Sequence, residues 1–433
     1  MQWRNWARTE TARPDRVEAP GDPSGVARVL HAAAAAGQRV KAVGSGHSFS
    51  GIAVPDTVLL SLEYLRGIDS IDRQNARVTV AGGTPLHELN SLLAVQNLAM
   101  PNLGDIDRQT LAGALSTGTH GTGLHLGGLA SQVLGLEMVL ADGTEVRCSA
   151  SEDPHLFAAA RVGLGALGIV TAVTLQCVES FALRAVEAPA PLDDVLEHFN
   201  RLAASNDHFE FYWFPHGERA LTKSNNRVPP GTEVLPLGKV RGFVDDELLS
   251  NAVFGATNRL GRVVPSTIPP VNRLATRLLS AREYVDASYR VFTSPRRVRF
   301  KEMEYALPMA AMRPAFEAIR RWIDRSGERV SFPMEVRVAA ADDIWLSTAS
   351  GRATAYVAVH QYYRTDHRRI FDAAEAILWD AGGRPHWGKM HTRTADQLRT
   401  RYARFDDFVN LRRKVDPLGV FSNAYLDRVL GKV

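Results

Sequence analysis

Four short segments carry side chains whose types and spacing could do chemistry. Glu335-Val336-Arg337 sets a carboxylate and a guanidinium two residues apart. In a strand, residues i and i+2 point to the same face, so the two would stand side by side. On a solvent face such a pair is worth little. Here the flanks, SFPM and VAA, are apolar, and a buried ion pair is expensive to keep. A buried pair of this kind is kept only where it has a job. His386-Trp387-Gly388-Lys389 follows Arg384-Pro385. Gly388 lets backbone come close to something flat. Lys389 is either an exposed cation or, if buried beside other cations, a lysine lowered toward a usable base.

The other two segments are rich in glycine. In Gly44-Ser45-Gly46-His47-Ser48 the run of small residues lets successive backbone N–H groups point at one anion, which suits a pyrophosphate. It is not a Rossmann fingerprint, because the third glycine is missing and Phe49 follows. Taken alone it is equally a tight turn with a surface histidine. The run Gly113 to Gly123, GALSTGTHGTG, adds bare backbone, the hydroxyls of Ser116 and Thr117, and His120. Two separated glycine-rich loops, each holding a histidine, point to one large phosphate-bearing cofactor between them.

GSGHS, GALSTGTHGTG and GALGIVTAV together resemble the FAD-binding domain of vanillyl-alcohol-oxidase-type flavoproteins. Within that type, nearly the whole chain is similar to the sugar 1,4-lactone oxidases and dehydrogenases and their sister group, the alditol oxidases. The resemblance implies an α+β, two-domain flavoprotein: mixed sheets and helices around FAD, then a substrate domain with antiparallel sheet and flanking helices. It implies that His47 is bonded covalently to the flavin 8α-methyl, and that Thr110, Gly113, Thr117, Gly118, His120, Ile169 and His386 contact FAD. It makes Glu335 and Arg337 the pair that binds the reacting hydroxyl, with Lys389 beside the substrate oxygen. The base, Glu335 or a neutral Lys389, stays open. Arg337 and Lys389 are expected to supply positive charge to a developing alkoxide.

Pro101 to Asp105 aligns with a substrate-side loop of the resembled groups. Alditol oxidases usually carry Ser where this chain has Asp105, and Thr where it has Tyr362, two residues beyond His360. Asp105, His360 and Tyr362 are therefore expected substrate contacts that put a polyol in doubt. NDHFEFYWFP and EMEYALP look more like the aldonolactone group. The expected reaction is oxidation of L-gulono-, L-galactono- or D-arabinono-1,4-lactone at the C2 hydroxyl, with an alditol as the alternative. Gly104 leaves an oxygen route open; a quinone, a dye or cytochrome c are the other acceptors. No metal site is expected.

These residues must be positioned by a chain of 433 residues, long enough for two or three domains. The pattern divides it into a glycine-rich FAD-binding domain (1–178), a sheet-plus-helix substrate domain (179–385) and a segment returning to the flavin (386–433). Helices are expected over about 25–37, 314–325 and 369–380. Strands are expected near 39–43, 58–61, 77–80, 133–140 and 206–215, and around the EMEYALP, EVR and TAYVAVHQYY segments. Residues 224–280 read as irregular.

Apolar residues are 45% and charged residues 23%, an ordinary globular balance that argues against long disorder. No apolar run approaches a membrane span; the alanines around His31 to Gly37 sit in an amphipathic context. The first sixteen residues read as neither a secretory signal nor a transit peptide. The two cysteines, Cys148 and Cys177, exclude a disulfide framework. A reducing cytoplasm is the default, with membrane association left open. The net charge of +4 is spread along the chain, in short clusters such as Arg296–Arg297 to Lys301 and Arg412–Lys414, and is too diffuse for a nucleic-acid footprint.

Overall fold

The computed structural model describes residues 2–236, 254–294 and 298–433. The Arg296–Arg297 pair and residues 237–253 of the stretch expected to be irregular lie outside them.

The amino-terminal body is built on two small sheets. Strands Arg16–Glu18, Val58–Leu60 and Val40–Ala42 form a parallel sheet in that order, with Val58–Leu60 central. Helix Pro23–Ala35 covers it: Asp22 caps the first turn, accepting from the Gly25 N–H, and Val26, Leu30 and Ala33 face inward. The second sheet is antiparallel, in the order Glu145–Ser149, Val133–Val139, Ile169–Gln176, Arg77–Ala81, Ile68–Asp72. Cys148 and Cys177 are buried and unbridged. Burial pushes their thiols up, to about 12 and about 11, so neither is a reactive thiolate.

The second body is one eight-stranded antiparallel sheet, in the order Arg282–Ala287, Ala182–Pro191, Arg219–Arg227, His208–Trp213, Met334–Ala339, Thr354–Tyr362, Phe300–Pro308, Arg384–Pro385. Helices Met309–Ser326 and Arg368–Asp380 pack on one face of it, where Phe211, Trp213, Phe316, Val336 and Val357 share a core. The first of these helices starts five residues before Pro314. Proline is tolerated there because it falls in the second turn and costs one backbone bond near the helix start. Residues 224–280 are less irregular than their proline content suggests: Phe254–Val263 and Ile268–Leu278 are helices.

The carboxyl-terminal segment joins the two bodies. Arg384–Pro385 adds an edge strand beside Phe300–Pro308, with Pro385 opposite Tyr305. The Phe405–Val415 and Ala424–Leu430 helices then bury Phe405, Phe408, Leu426 and Val429 in the amino-terminal core with Leu86 and Leu111. Among the described residues no helix is long and apolar enough to cross a membrane.

Candidate active site

A cavity of about 760 Å³ opens between the bodies, lined from the amino-terminal side by His47, Ser48, Phe49, Gly104, Asp105, Thr117 and His120. From the other side it is lined by Glu302, Glu304, Glu335, Arg337, His360, His386 and Lys389. Three of the four chemistry-bearing segments thus converge from positions as far apart as 47 and 389, and the fourth contributes Thr117 and His120.

The pair Glu335 and Arg337 lies on one face of Met334–Ala339, and each residue is 7% exposed. The Arg337 Nη2 contacts Glu335, and lies 3.5 Å from Asp105 Oδ2 and from the Tyr212 hydroxyl. Its Nε donates to Glu210 Oε2 at 2.7 Å. One guanidinium is thus shared among three carboxylates. Burial, opposed by Arg337 and assisted by the charges of Asp105 and Glu210, pushes the Glu335 carboxyl up to about 7. A carboxyl at that value accepts a proton near neutral pH.

Lys389 lies in a second cluster. Its Nζ meets Glu302 and sits 5.0 Å over the Phe49 ring. Burial would lower this ammonium, but Glu302 and Glu304 more than offset it, and the net direction is upward. A neutral Lys389 as the base is therefore not what the surroundings favour. The cations expected around it are outnumbered by carboxylates that EMEYALP brings to the same face at positions 302 and 304. Nor do Arg337 and Lys389 form a net positive patch, since each is neutralised in place. What they offer the cavity is directed N–H donors.

The histidines differ from one another. His360 Nδ1 lies 2.7 Å from the Pro333 carbonyl and Nε2 lies 3.5 Å from Glu302. Burial lowers its pKa, but Glu302 dominates and the net direction is upward. His386 Nδ1 accepts from the Gly388 N–H at 3.0 Å, which leaves the proton of the neutral ring on Nε2. His120 Nδ1 meets its neighbour's carbonyl, Gly121 O, at 2.8 Å, its Nε2 is 3.3 Å from Glu304, and its ring stacks on Tyr356 at 3.5 Å. His120, Glu304 and His386 are close enough to hold a metal. However, the proton on His386 Nε2 blocks its free ligand position.

His47 stacks on Trp6 at 5.7 Å. Burial, with the charges of Lys389 and Arg108, lowers it to about 4, so its ring is neutral at physiological pH. Around it the backbone forms an anion cradle. Gly46 has φ of +68°, and none of the N–H groups of residues 44–48 finds an acceptor among the described residues. A Cβ at Gly44 would stand 2.3 Å from Thr110 Oγ1. A Cβ at Gly113 would stand 2.9 Å from the same oxygen, and Thr117 Oγ1 donates to the Gly113 carbonyl at 3.1 Å. Gly118, at φ +75°, turns the second loop back toward the cavity. Bare, unpaired donors in a turn beside a long cavity fit a phosphate-bearing cofactor with a flat ring.

Of the expected contacts, Gly44, Ser45, Gly46, Thr110, Gly113 and Gly118 lie in the segments behind the cavity lining, and two others are buried in cores. The Ile169 side chain is buried with Val139 and Leu60 inside the amino-terminal core, so only its backbone could reach a cofactor. Tyr362 is packed among Phe49, Phe300 and Phe332 and does not line the cavity. It shares a face with His360 but lies farther along the strand, past the ring of Phe332. At Gly104 a Cβ would come within 3.1 Å of the His120 carbonyl, so a side chain there would be tightly packed whatever the acceptor.

Glu210, Tyr212, Glu302, Glu304, Tyr356 and Trp6 were not picked out as site residues from the sequence. The one available signal was alternation: Glu302 and Glu304 share a face of a strand as Glu335 and Arg337 do.

Close packing of loops 101–105 and 119–123 gives a direct test. A Cβ at Gly121 would lie 2.2 Å from the Leu103 carbonyl oxygen and 2.5 Å from Asn102 Oδ1. Gly121→Ala should cost about 1–3 kcal/mol through overpacking. It should lower both the thermal midpoint and the flavin absorbance per protein; an unchanged absorbance ratio would show that this contact does not shape the cavity.

The fold and the family are shown by known proteins. A cholesterol oxidase from Brevibacterium sterolicum superposes with a TM-score of 0.78 at 17% identity, covering 99% of this chain and 96% of that one. The architecture is that of the vanillyl-alcohol-oxidase-type FAD flavoproteins. An FAD-binding-domain model matches residues 14–149, and the D-arabinono-1,4-lactone oxidase model matches residues 173–429. The chain belongs to the D-arabinono-1,4-lactone oxidase family, whose members are FAD-dependent oxidoreductases. Its relatives include an L-gulono-1,4-lactone dehydrogenase of Mycobacterium tuberculosis, 40% identical over 99% of both chains. An L-gulonolactone oxidase of Bos taurus is 32% identical over 99% of this chain and 98% of its own. An alditol oxidase of a Streptomyces species is 32% identical over 98% of each.

Proposed function

We propose that this protein oxidises the C2 hydroxyl of an aldono-1,4-lactone of the L-gulono, L-galactono or D-arabinono type. The observation that carries the reading is Glu335: a buried carboxyl raised to about 7, held against Arg337, in the cavity that also receives Lys389. Bound FAD supplies the two-electron acceptor for the hydride that leaves the carbinol carbon. Residues 44–48, Gly113, Thr117 and Gly118 would hold its phosphates and ring edge, and His120 and His386 would flank it. The substrate hydroxyl sits between the N–H donors of Arg337 and Lys389. Glu335 takes the hydroxyl proton as the carbon–oxygen double bond forms. Phe49 and Phe300, both buried, exclude water from this end of the cavity. Asp105 and His360 contact the remaining ring hydroxyls.

The attachment of FAD is part of the same proposal. The neutral ring of His47, steadied by Trp6, offers a nitrogen lone pair for a covalent bond to the flavin. After denaturing electrophoresis the band should fluoresce yellow under ultraviolet light, and His47→Ala should abolish that fluorescence. A wild-type band without fluorescence overturns the linkage but not the oxidation. The substrate is tested by anaerobic titration with the three lactones and with xylitol and sorbitol. Bleaching by the lactones at lower concentration supports the proposal, and faster bleaching by the polyols replaces it with alditol oxidation.

A further inference from the structure

The helices Phe254–Val263 and Ile268–Leu278 turn Asn258, Asn272 and Thr276 inward alongside Gly261 and Ile268. Asn272 is 4% exposed, and its amide donates to the carbonyls of Pro215 and Val330 at 3.0 and 2.9 Å. Buried Asn258 accepts from the Ser331 hydroxyl at 2.6 Å. Thr276, 2% exposed, is pressed against Gly217, where a Cβ would stand 2.7 Å from its methyl group. These anchors fix which face looks out. The outward sides of the two helices carry Leu260, Val263 (78% exposed) and Leu274, and Leu278 (72% exposed) stands at the rim of the cavity.

Each of these aliphatic residues directly follows an arginine: Arg259-Leu260, Arg262-Val263, Arg273-Leu274 and Arg277-Leu278. Residues 254–280 contain no Asp, Glu or Lys, so this short segment carries +4, equal to the formal charge of the whole chain. Aliphatic side chains flanked by long cations describe a surface that inserts shallowly among acyl chains while guanidinium groups stay at the headgroups. A protein partner would need a matching acidic rim around an apolar centre. An anionic lipid surface supplies both at every point.

We propose that the 254–278 helix pair docks this enzyme onto an anionic phospholipid bilayer. Ile268, Val271 and Ala275 of the second helix line the catalytic cavity, so docking lays one cavity wall alongside the lipid. The proposal does not depend on which lactone is oxidised, and its readout is binding.

The purified holoenzyme is centrifuged with vesicles of mixed phosphatidylglycerol and phosphatidylcholine, and with phosphatidylcholine alone. It should sediment with the mixed vesicles at low salt and be released as salt rises. An Arg262→Glu, Arg273→Glu variant and a Val263→Ser, Leu274→Ser variant should each partition at least ~tenfold more weakly. Both should keep wild-type flavin absorbance and wild-type activity with a soluble dye. If the apolar variant fails to fold, the charge variant decides alone. No sedimentation, equal sedimentation with both vesicle types, or unchanged binding by a folded charge variant overturns the proposal. So does a dimer on size exclusion that Leu274→Ser converts to monomer, since a second copy would then cover this face.

Discussion

Replacing Arg337 by alanine or Lys389 by methionine should each slow anaerobic flavin reduction by about 10²–10³-fold while FAD stays bound. The two residues are not equivalent. Arg337 is held by Glu210 at 2.7 Å and contacts Glu335 and Asp105, so its removal leaves two buried carboxylates and the half-buried Asp105 crowded together. Arg337→Ala should therefore also destabilise the protein and push Glu335 further up, compounding the loss at neutral pH. Lys389 is half-buried and paired with Glu302, which keeps His360 as a second partner. Lys389→Met should lower the thermal midpoint less than Arg337→Ala does, because His360 still faces Glu302, and should act mainly on rate. Stopped-flow reduction at the wild-type rate in either variant would remove that residue from the chemistry.

Glu335→Gln should lower the rate of reduction by about 10²–10⁴-fold, the range for loss of a positioned base. The pH profile distinguishes this from simple misplacement. Only ionised Glu335 accepts the proton, and its carboxyl stands at about 7. Below that value the wild-type rate should rise about tenfold per pH unit, because the carboxylate fraction does so, and above it the rate should level off. Glu335→Gln should be slow and flat across the same range. Asp105→Asn removes one of the charges that raise Glu335 and should move the inflection to lower pH. A wild-type profile that is flat from pH 5 to 8 would show that another group takes the proton. Lys389 could not produce such an inflection, because its surroundings keep it charged throughout.

Much of the site could be read from the order of residues. Short-range rules determined it: the two-residue period that puts Glu335 beside Arg337, the glycine density of residues 44–46 and 113–123, and apolar flanks that made burial of an ion pair expensive. The same rules placed most helices and strands, because those elements are made by local periodicity. Where the rules were applied to residues 224–280, prolines concealed two helices whose inward faces carry Asn258, Asn272 and Thr276, polar residues that blur the apolar stripe marking a packed helix.

What only the tertiary structure decided is which charges meet. Glu210 reaches Arg337 because His208–Trp213 pairs with Met334–Ala339, a strand more than a hundred residues away in the chain. Glu302 and Glu304 reach Lys389 because the returning tail hydrogen-bonds along Phe300–Pro308, the His386 N–H to the Glu304 carbonyl and the Met390 N–H to the Glu302 carbonyl. Phe49 N–H donates to the Gly388 carbonyl at 2.7 Å and ties that tail to the histidine loop. The protonation states of Glu335 and Lys389 follow from these neighbours and from burial. Tyr362 was displaced from the cavity by the same kind of contact, a ring packed behind Phe332. A carboxyl's ionisation depends on the charges within a few ångströms and on the water excluded around it. Neither is a property of its own segment, so the residue types and spacing marked the candidate groups, and the fold set the ionisation of each.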